Sequence, residues 1–418
     1  MLIRMLQAHH PYGRTNVCWM PGDVVSVPRD LGNMLVNHWH AEPVPGEDKQ
    51  DDWEYLRNYV GERPGDPGAF IPARNYLPFA RAGNKILLIR KVGGLGDVLH
   101  VSLMLTEIKR QFPDCPLTFA TARQYFRLFE GSGIDLLDQD EVFRGATVKG
   151  GIITSPVMDR FDIIEDVSTP CFLYESTQTY FGRDRLKWRP RLAIWSEWIG
   201  LKMNYDYLES PVKVTAPELT AARARYWPQP PYRQHPQTAV ALCPISSNHA
   251  RSLSAERWKP LKAALEAEGM QVAVFGVPYG DGGSHECGDS RDFVAAILAA
   301  DVTVTVDSAA SNICGIWKKP AVALYGITDG ATYTGYYPTV APLQLCDTPC
   351  CNEKVGGCGK RNPCCYHKFG ISETVQAVKD QLEKANETEL RMRGQDAKRV
   401  PERGRKAPAR KRAPVPAR

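Results

Sequence analysis

One aspartate of this sequence is well placed for catalysis or ligand binding, because it lies at the predicted start of a helix that follows a glycine-rich turn. The turn contains Gly93, Gly94 and Gly96, and Asp97 comes directly after it. Backbone N–H groups at a helix N-terminus have no partner within the helix and form the positive end of its dipole, so this position can hold a phosphate or a carboxylate. Asp97 is therefore the candidate catalytic residue. Gly94 and Gly96 are candidate ligand-binding residues, but a tight strand-to-helix turn also requires glycine for steric reasons, and both interpretations stay open.

A second turn repeats this arrangement later in the chain. The β-branched segment 302–306, which alternates valine and threonine, ends at Asp307 and Ser308, and an apolar helical pattern comes next. Either residue can cap that helix, which alone is enough to explain their presence. Alternatively, the N–H groups of Ser308 and Ala309 hold a diphosphate, with the Ser308 hydroxyl as a further donor. Both interpretations stay open.

A third group of polar residues comes after the apolar segment 238–242. Ser246 and Ser247 are first, and Arg251 lies further along the same loop. Arginine can bind a phosphate group through two parallel hydrogen bonds, where lysine offers a point charge. Arg251 is either a phosphate ligand or a solvated loop residue.

Alternating strand-like and helix-like segments must position these residues. The apolar run 86–89 predicts a strand buried on both faces of a parallel sheet, and Val98, Val101, Leu105 and Ile108 recur at helical spacing. The alternation continues to about residue 215 and restarts after the proline-rich segment 227–236. We therefore predict an α/β protein with two Rossmann-like, doubly wound domains.

Composition divides the 418 residues further. We predict a small β-rich module at 1–45, a linker at 46–83, Rossmann-like domains at 84–226 and 237–385, and a disordered basic tail at 386–418. Residues 391–418 hold eleven basic and two acidic side chains, against 41 basic and 45 acidic in the rest of the chain. Such a tail either contacts nucleic acid or an anionic surface, or it is a solubilising extension.

Half of the twelve cysteines crowd into residues 346–365. The four candidate ligands of a tetrahedral zinc site are Cys346, Cys350, Cys358 and Cys364. A reducing compartment favours metal over disulfides, but the segment has no clean pair of CxxC motifs. Structural zinc, disulfides and free thiols therefore all stay open.

The motifs together resemble those of the heptosyltransferase family of bacterial lipopolysaccharide-core glycosyltransferases. The first shared segment is Gly96-Asp97-Val98-Leu99-His100. The second is Asp307-Ser308-Ala309, with Asn312 five residues after the acid, then Lys319-Pro320 and Gly326-Ile327-Thr328-Asp329. The third is Ser246, Ser247 and Arg251 ahead of Trp258, where the family commonly has lysine in place of the arginine.

This resemblance implies a GT-B fold, in which two Rossmann-like domains face a cleft. Residues 84–226 would form the acceptor domain and residues 237–385 the nucleotide-sugar domain. The implied reaction is inverting transfer of a sugar from a nucleotide-diphospho-sugar to an acceptor hydroxyl, with Asp97 as the base and no cofactor required for catalysis. The implied donor-binding residues are Gly94, Gly96, Ser246, Ser247, Arg251, Asp307, Ser308, Ala309, Asn312 and Thr328.

The acceptor stays open. A glycan of the lipopolysaccharide type is implied by the resemblance, whereas the N-terminal module and the basic tail favour a phage-type enzyme that glycosylates modified DNA bases. A non-catalytic GT-B scaffold is the third alternative. No apolar stretch approaches the roughly 18 residues of a membrane span and no secretory signal is present. We expect a cytoplasmic protein, with peripheral contact at the inner membrane face as a further option.

Overall fold

The structure is a computed structural model that describes residues 2–5, 24–26, 41–43, 77–90, 94–149, 152–168, 190–229, 236–246, 251–276, 284–346 and 369–399. In the N-terminal region, strands β1 (Leu2–Met5), β2 (Val24–Ser26) and β3 (Ala41–Pro43) pair in the antiparallel order β2-β1-β3. No helix among the described residues is long and apolar enough to cross a membrane.

The first half is built on a four-stranded parallel sheet. Its strands are β4 (Ile86–Ile89), β5 (Leu117–Thr121), β6 (Asp135–Asp138) and β9 (Ile163–Asp166), in the order β6-β5-β4-β9. All four residues of β4 are fully buried, as expected for a central strand covered on both faces. Strands β5 and β6 are added on one side of β4, whereas β9 is added on the other side. This reversal of strand order creates a crevice at the carboxyl ends of β4 and β9.

Helices and short turns cover this sheet. Helix α1 (Leu95–Gln111) comes after β4, and its predicted apolar positions are buried in the main core. A 3₁₀ helix spans Arg123–Phe129, and α2 (Gln139–Val142) comes after β6. Strands β7 (Thr147–Lys149) and β8 (Ile152–Thr154) form a separate antiparallel pair. Helix α3 spans Arg191–Trp198.

The second half contains a six-stranded parallel sheet. Its strands are β10 (Ala239–Cys243), β11 (Gln271–Phe275), β12 (Ser284–His285), β13 (Val302–Val306), β14 (Ala321–Tyr325) and β15 (Val340–Gln344), in the order β12-β11-β10-β13-β14-β15. Strands β11 and β12 are added on one side of β10 and the later strands on the other, so the strand order reverses between β10 and β13. The residues after those two strands therefore lie at a second crevice of the same kind.

Before the last helix of the chain, the helices described in or next to this half are α4 (Ala216–Tyr226), α5 (Ala255–Ala267), α6 (Ser290–Ala299), α7 (Ala309–Ile316) and α8 (Gly330–Thr334). The mixed α/β class with parallel sheets is thus confirmed. The domain boundaries themselves stay a prediction.

The last helix corrects one expectation. Helix α9 spans Ile371–Arg399 and packs Val375 and Val378 into the core of the second half. It occupies residues 386–399, which the sequence pattern had assigned to a disordered tail. Glu, Lys, Ala, Gln and Arg favour helix, and no proline interrupts the segment before Pro401. Residues 400–418 lie outside the described part of the chain.

A buried arginine ties the two halves together. Arg291 of α6 is 6% exposed, and its Nε and Nη2 donate to the two carboxylate oxygens of Glu218 at 2.6 and 3.1 Å. Its Nη2 also donates to the carbonyl oxygen of Lys213 at 2.7 Å. Its Nη1 donates to three carbonyl oxygens of the first half, those of Arg127, Leu128 and Glu130. One guanidinium therefore joins α4, α6 and the 3₁₀ helix of the first half.

Replacing Arg291 with alanine is expected to lower the free energy of unfolding by about 3 kcal/mol, because Glu218 and the buried carbonyl groups lose their partner. Denaturant unfolding monitored by circular dichroism measures this change. Arg123→Ala removes an arginine whose side chain is 81% exposed and lies 4.0 Å from Asp138, and we expect it to leave the unfolding midpoint unchanged. A loss below about 1 kcal/mol in the Arg291 variant would contradict the proposed link between the halves.

Candidate active site

The starts of α1 and α7 meet at the boundary between the two halves. A Cβ atom added at Gly96 would lie 2.8 Å from the Nδ2 atom of Asn312 and 3.5 Å from the Cα atom of Ala309. The sequence left two reasons for the glycine at position 96 open, the close approach of a ligand and the steric need of a tight turn. The structure gives a different reason, because the side chain of Asn312 occupies the space that a larger residue would need. Gly94, the N-cap of α1, faces open space instead.

Asp97 lies in the first turn of α1 and is held by two arginines. Its Oδ2 accepts a hydrogen bond from Arg90 Nη2 at 3.0 Å, and its Oδ1 accepts one from Arg191 Nη1 at 2.9 Å. The Asp97 side chain is 15% exposed. The carboxylate thus sits at the crevice of the first sheet, with a cation on each oxygen.

Arg90 is itself fixed on several sides. It comes directly after β4 and is 3% exposed. Its Nη1 donates to the carbonyl oxygen of Val167, the residue after β9, at 3.4 Å. Its Cζ lies 4.9 Å from the centroid of the buried Trp195 ring in α3, a cation–π arrangement. Arg90 therefore joins the two strand ends that border the crevice.

The surroundings of Asp97 keep it ionised. Burial raises its pKa, but the charges of Arg191 and Arg90 outweigh that effect and lower the pKa to about 2. The helix dipole, which the sequence already indicated, acts in the same direction. A carboxylate with this pKa is a strong hydrogen-bond acceptor and a weak base.

The second half contributes a matching acid–arginine pair. The Oδ2 atom of Asp307 accepts hydrogen bonds from Arg251 Nη1 at 3.3 Å and from Thr328 Oγ1 at 2.8 Å. Asp307 comes after β13 and Arg251 lies in the loop after β10, so this pair occupies the crevice of the second sheet. Arg251 is 15% exposed at its side chain and is ordered by Asp307. It is therefore not the solvated loop residue of the alternative interpretation.

The two serines of this region have structural partners. Ser308 is the N-cap of α7, and its Oγ accepts from the N–H of Ala310. The Ser246 N–H donates to Ser252 Oγ at 3.0 Å. Capping by Ser308, and not by Asp307, is thus observed. Their roles in binding a diphosphate stay a prediction, and Ser247 lies outside the described residues.

Sequence reasoning did not single out the histidine at the centre of this boundary. His100 of α1 is 3% exposed, and its Nε2 lies 2.9 Å from the hydroxyl of Tyr336 in the second half. Burial lowers its pKa, and although Asp97 and Asp307 raise it, the pKa is held at about 4. Both acids therefore lie within electrostatic reach of one imidazole. Its position in the motif after Asp97 was the available signal.

The structure brings together most residues named from the sequence: Gly96, Asp97, Arg251, Asp307, Ser308, Ala309, Asn312 and Thr328. It adds Arg90, Arg191, His100 and Tyr336. Sequence reasoning assigned no functional role to Arg90, which directly follows the apolar run 86–89. No local pattern predicted a role for Arg191, which lies 94 residues after Asp97 along the chain.

The zinc prediction is not tested. Among the residues that the structure describes, no three His, Cys, Asp or Glu side chains are grouped to hold a metal ion. Cys346 is half-buried after β15, but Cys350, Cys358 and Cys364 lie outside the described ranges.

The fold resembles those of solved glycosyltransferases. A family 9 glycosyl transferase from Veillonella parvula is 14% identical over 73% of this chain and 99% of its own, with a TM-score of 0.51. E. coli ADP-heptose lipopolysaccharide heptosyltransferase II is 13% identical over 72% of this chain and 99% of its own, also with a TM-score of 0.51. No protein-family model matches the sequence, and no curated protein matches it significantly.

At these identities the similarity establishes the fold. The chain therefore has the fold of heptosyltransferases and related glycosyltransferases, and the resemblance stated from its motifs is confirmed at that level.

The imidazole of His100 is expected to titrate with a midpoint of about 4. An unfolded histidine binds its proton near pH 6.5, so the contribution of this residue to stability is full above that pH and is lost as the pH falls toward 4. Long-range ¹H–¹⁵N NMR spectra between pH 3.5 and 8 monitor the ring, and a His100→Gln variant assigns its signal. A midpoint near 6.5 would contradict the buried, neutral state.

Proposed function

We propose that this protein is an inverting glycosyltransferase that moves a sugar from a nucleotide-diphospho-sugar to an acceptor hydroxyl. The observation that carries the proposal is the meeting of α1 and α7, which sets an Asp97 carboxylate from one sheet beside a helix N-terminus and a guanidinium from the other. Asp97 would activate the acceptor hydroxyl on one side of the boundary, and the guanidinium and helix N-terminus would bind the diphosphate on the other. This arrangement suits displacement of the diphosphate from a sugar carbon held between them.

The second half would bind the donor. The leaving nucleoside diphosphate develops negative charge as the glycosidic bond breaks, and preorganised positive groups stabilise that charge. Arg251 offers a guanidinium that Asp307 already orients. The N-terminus of α7, capped by Ser308, adds its dipole close by.

Asp97 would act on the acceptor. Its pKa of about 2 keeps it ionised, so that it orients the attacking hydroxyl and accepts the proton late in the reaction. Each oxygen of the Asp97 carboxylate already accepts a hydrogen bond from an arginine. Each oxygen has more than one lone pair, so a second lone pair can accept a hydrogen bond from the acceptor hydroxyl.

ADP-sugars are the first donors to consider, because the similarly folded E. coli protein is named for ADP-heptose. The base and the sugar that this chain uses are to be determined by direct comparison of nucleotides.

A non-catalytic scaffold is the second candidate, and one observation favours it. Both oxygens of Asp97 are engaged in ion pairs, which is also how a purely structural carboxylate is held. A scaffold of this kind would bind a nucleotide but would neither hydrolyse nor transfer its sugar.

The donor can be found by a thermal-shift screen of ADP-, UDP-, GDP- and CMP-linked sugars. A ligand that binds only the folded state at 100 times its Kd adds about 2.7 kcal/mol of stability, so the preferred nucleotide should raise the melting temperature by several degrees. Adenosine, uridine and guanosine without phosphate are the matched controls. No shift with any sugar nucleotide would contradict the proposed donor class.

Replacing Asp97 with asparagine is expected to abolish sugar transfer while nucleotide binding is retained. A loss of at least about 100-fold in kcat is expected, since the carboxylate is the proposed proton acceptor. Asp97→Glu keeps the charge that Arg90 and Arg191 require, but displaces it by one methylene, and should lose transfer as well. Chromatographic detection of product measures both. Wild-type turnover in either variant would exclude Asp97 as the base, and a wild type that never turns over favours the scaffold.

A further inference from the structure

Arg191 occupies an unusual place, because its side chain spans the boundary between the halves. Its Nη1 donates to Asp97 Oδ1 in the first half. Its Cζ lies 5.8 Å from the ring centroid of Tyr333, in α8 of the second half. Helix α8 begins directly after the Thr328-Asp329 segment, and Thr328 contacts Asp307. One guanidinium therefore contacts Asp97 in the first half and lies against α8 of the second half.

The two arginines on Asp97 are held very differently. Arg90 is 2% exposed at its side chain, follows a central strand and lies against the buried Trp195. Arg191 is 17% exposed and is the first residue of the short helix α3. A partly exposed side chain at a helix end can change rotamer with less disturbance of the packing than Arg90, which lies in the core.

Two arginines, each paired with an aspartate, approach this boundary. Arg191 reaches it from the first half, and Arg251 reaches it from the second. The starts of α1 and α7 meet there, and each contributes the positive end of a helix dipole. An anion placed between the two helix starts would therefore lie near two guanidinium groups and two dipole ends, an arrangement that attracts a diphosphate.

We propose that Arg191 is a positioning residue that changes partners, moving from Asp97 to the diphosphate when the donor binds. This inference rests on the proposed function. A diphosphate offers more oxygens and more charge than one carboxylate, and a guanidinium binds phosphate bidentately. The exchange leaves Oδ1 of Asp97 open to the acceptor hydroxyl.

The exchange also links donor binding to the base. With Arg191 on Asp97, the pKa of the carboxyl is about 2. Loss of that cation raises the pKa, which makes Asp97 a better proton acceptor only when a donor is present. The enzyme thereby avoids activating a hydroxyl before the sugar is in place. Arg90 stays bound and keeps the carboxylate oriented.

A double-mutant cycle on nucleotide binding tests the exchange without requiring turnover. Isothermal titration calorimetry with ADP compares wild type, Asp97→Asn, Arg191→Ala and the double variant at pH 7.5. Competition between Asp97 and the diphosphate for Arg191 predicts that Asp97→Asn tightens ADP binding about fivefold or more, and that this gain disappears in the Arg191→Ala background. Arg110→Ala, at the far end of α1, serves as the control and should leave the Kd unchanged.

The cycle also separates simple repulsion from exchange. If Asp97 only repels the diphosphate, Asp97→Asn tightens ADP binding equally in both backgrounds, and the proposal is overturned. Unchanged affinity in Asp97→Asn overturns it as well. If the wild type binds none of ADP, UDP and GDP, the proposed function fails together with the inference. If ADP binds but the effects of the two substitutions on its Kd are additive, the exchange of Arg191 is overturned while the proposed function stands.

The arginine variants provide a second route should Asp97→Asn not fold. Exchange requires Arg191→Ala to weaken ADP binding about tenfold or more, because a charged hydrogen bond to the phosphate is lost. Arg191→Lys should recover part of that affinity, since lysine keeps the charge but not the bidentate geometry. A merely structural Arg191 would lower the melting temperature and leave the Kd of both variants at the wild-type value, which overturns the proposal.

Discussion

The pairing of one buried carboxylate with two guanidinium groups is the constraint on which the centre of this molecule depends. An ionised Asp97 away from bulk water is stable only with compensating charge, and Arg90 and Arg191 supply it from two separate segments. Arg90 is anchored in turn by Val167 and Trp195. The strand ends β4 and β9, the start of α1 and the start of α3 are thereby fixed around a single carboxyl group.

The second half satisfies the same physical requirement with other residues. Asp307 comes after a buried strand at the reversal point of its sheet, where Arg251 compensates its charge and Thr328 donates a hydrogen bond to it. Two parallel sheets thus bring two acid–arginine groups to the edges where their crevices form. The contact of Gly96 with Asn312, the His100–Tyr336 hydrogen bond and the Arg291 network hold those edges against each other. The proposed transfer reaction needs this arrangement, because its two substrates must be held in reacting distance from opposite sides.

Most of the scaffold was readable from local patterns, and the exceptions have identifiable causes. The unbroken apolar run at 86–89 predicted β4, because a strand buried on both faces leaves little room for any other composition. Strand β6, with the sequence DLLD, is only partly buried and carried no such run. Helix α9 extends to Arg399, beyond the start of the predicted tail, because helix-forming residues continue up to that point.

The chain's own residue order was sufficient to decide its α/β class, its two parallel-sheet halves and the positions of Asp97, Arg251 and Asp307. Each of these depends on the period of a short segment or on the residues immediately after a strand. The partners of those residues were decided only by the folded structure. Arg191 lies 94 residues from the carboxylate it contacts, and Asn312 explains Gly96 from the opposite half. Such pairings arise from how the strands are ordered and how two sheets dock. The local sequence around one partner therefore does not predict the identity or position of the other.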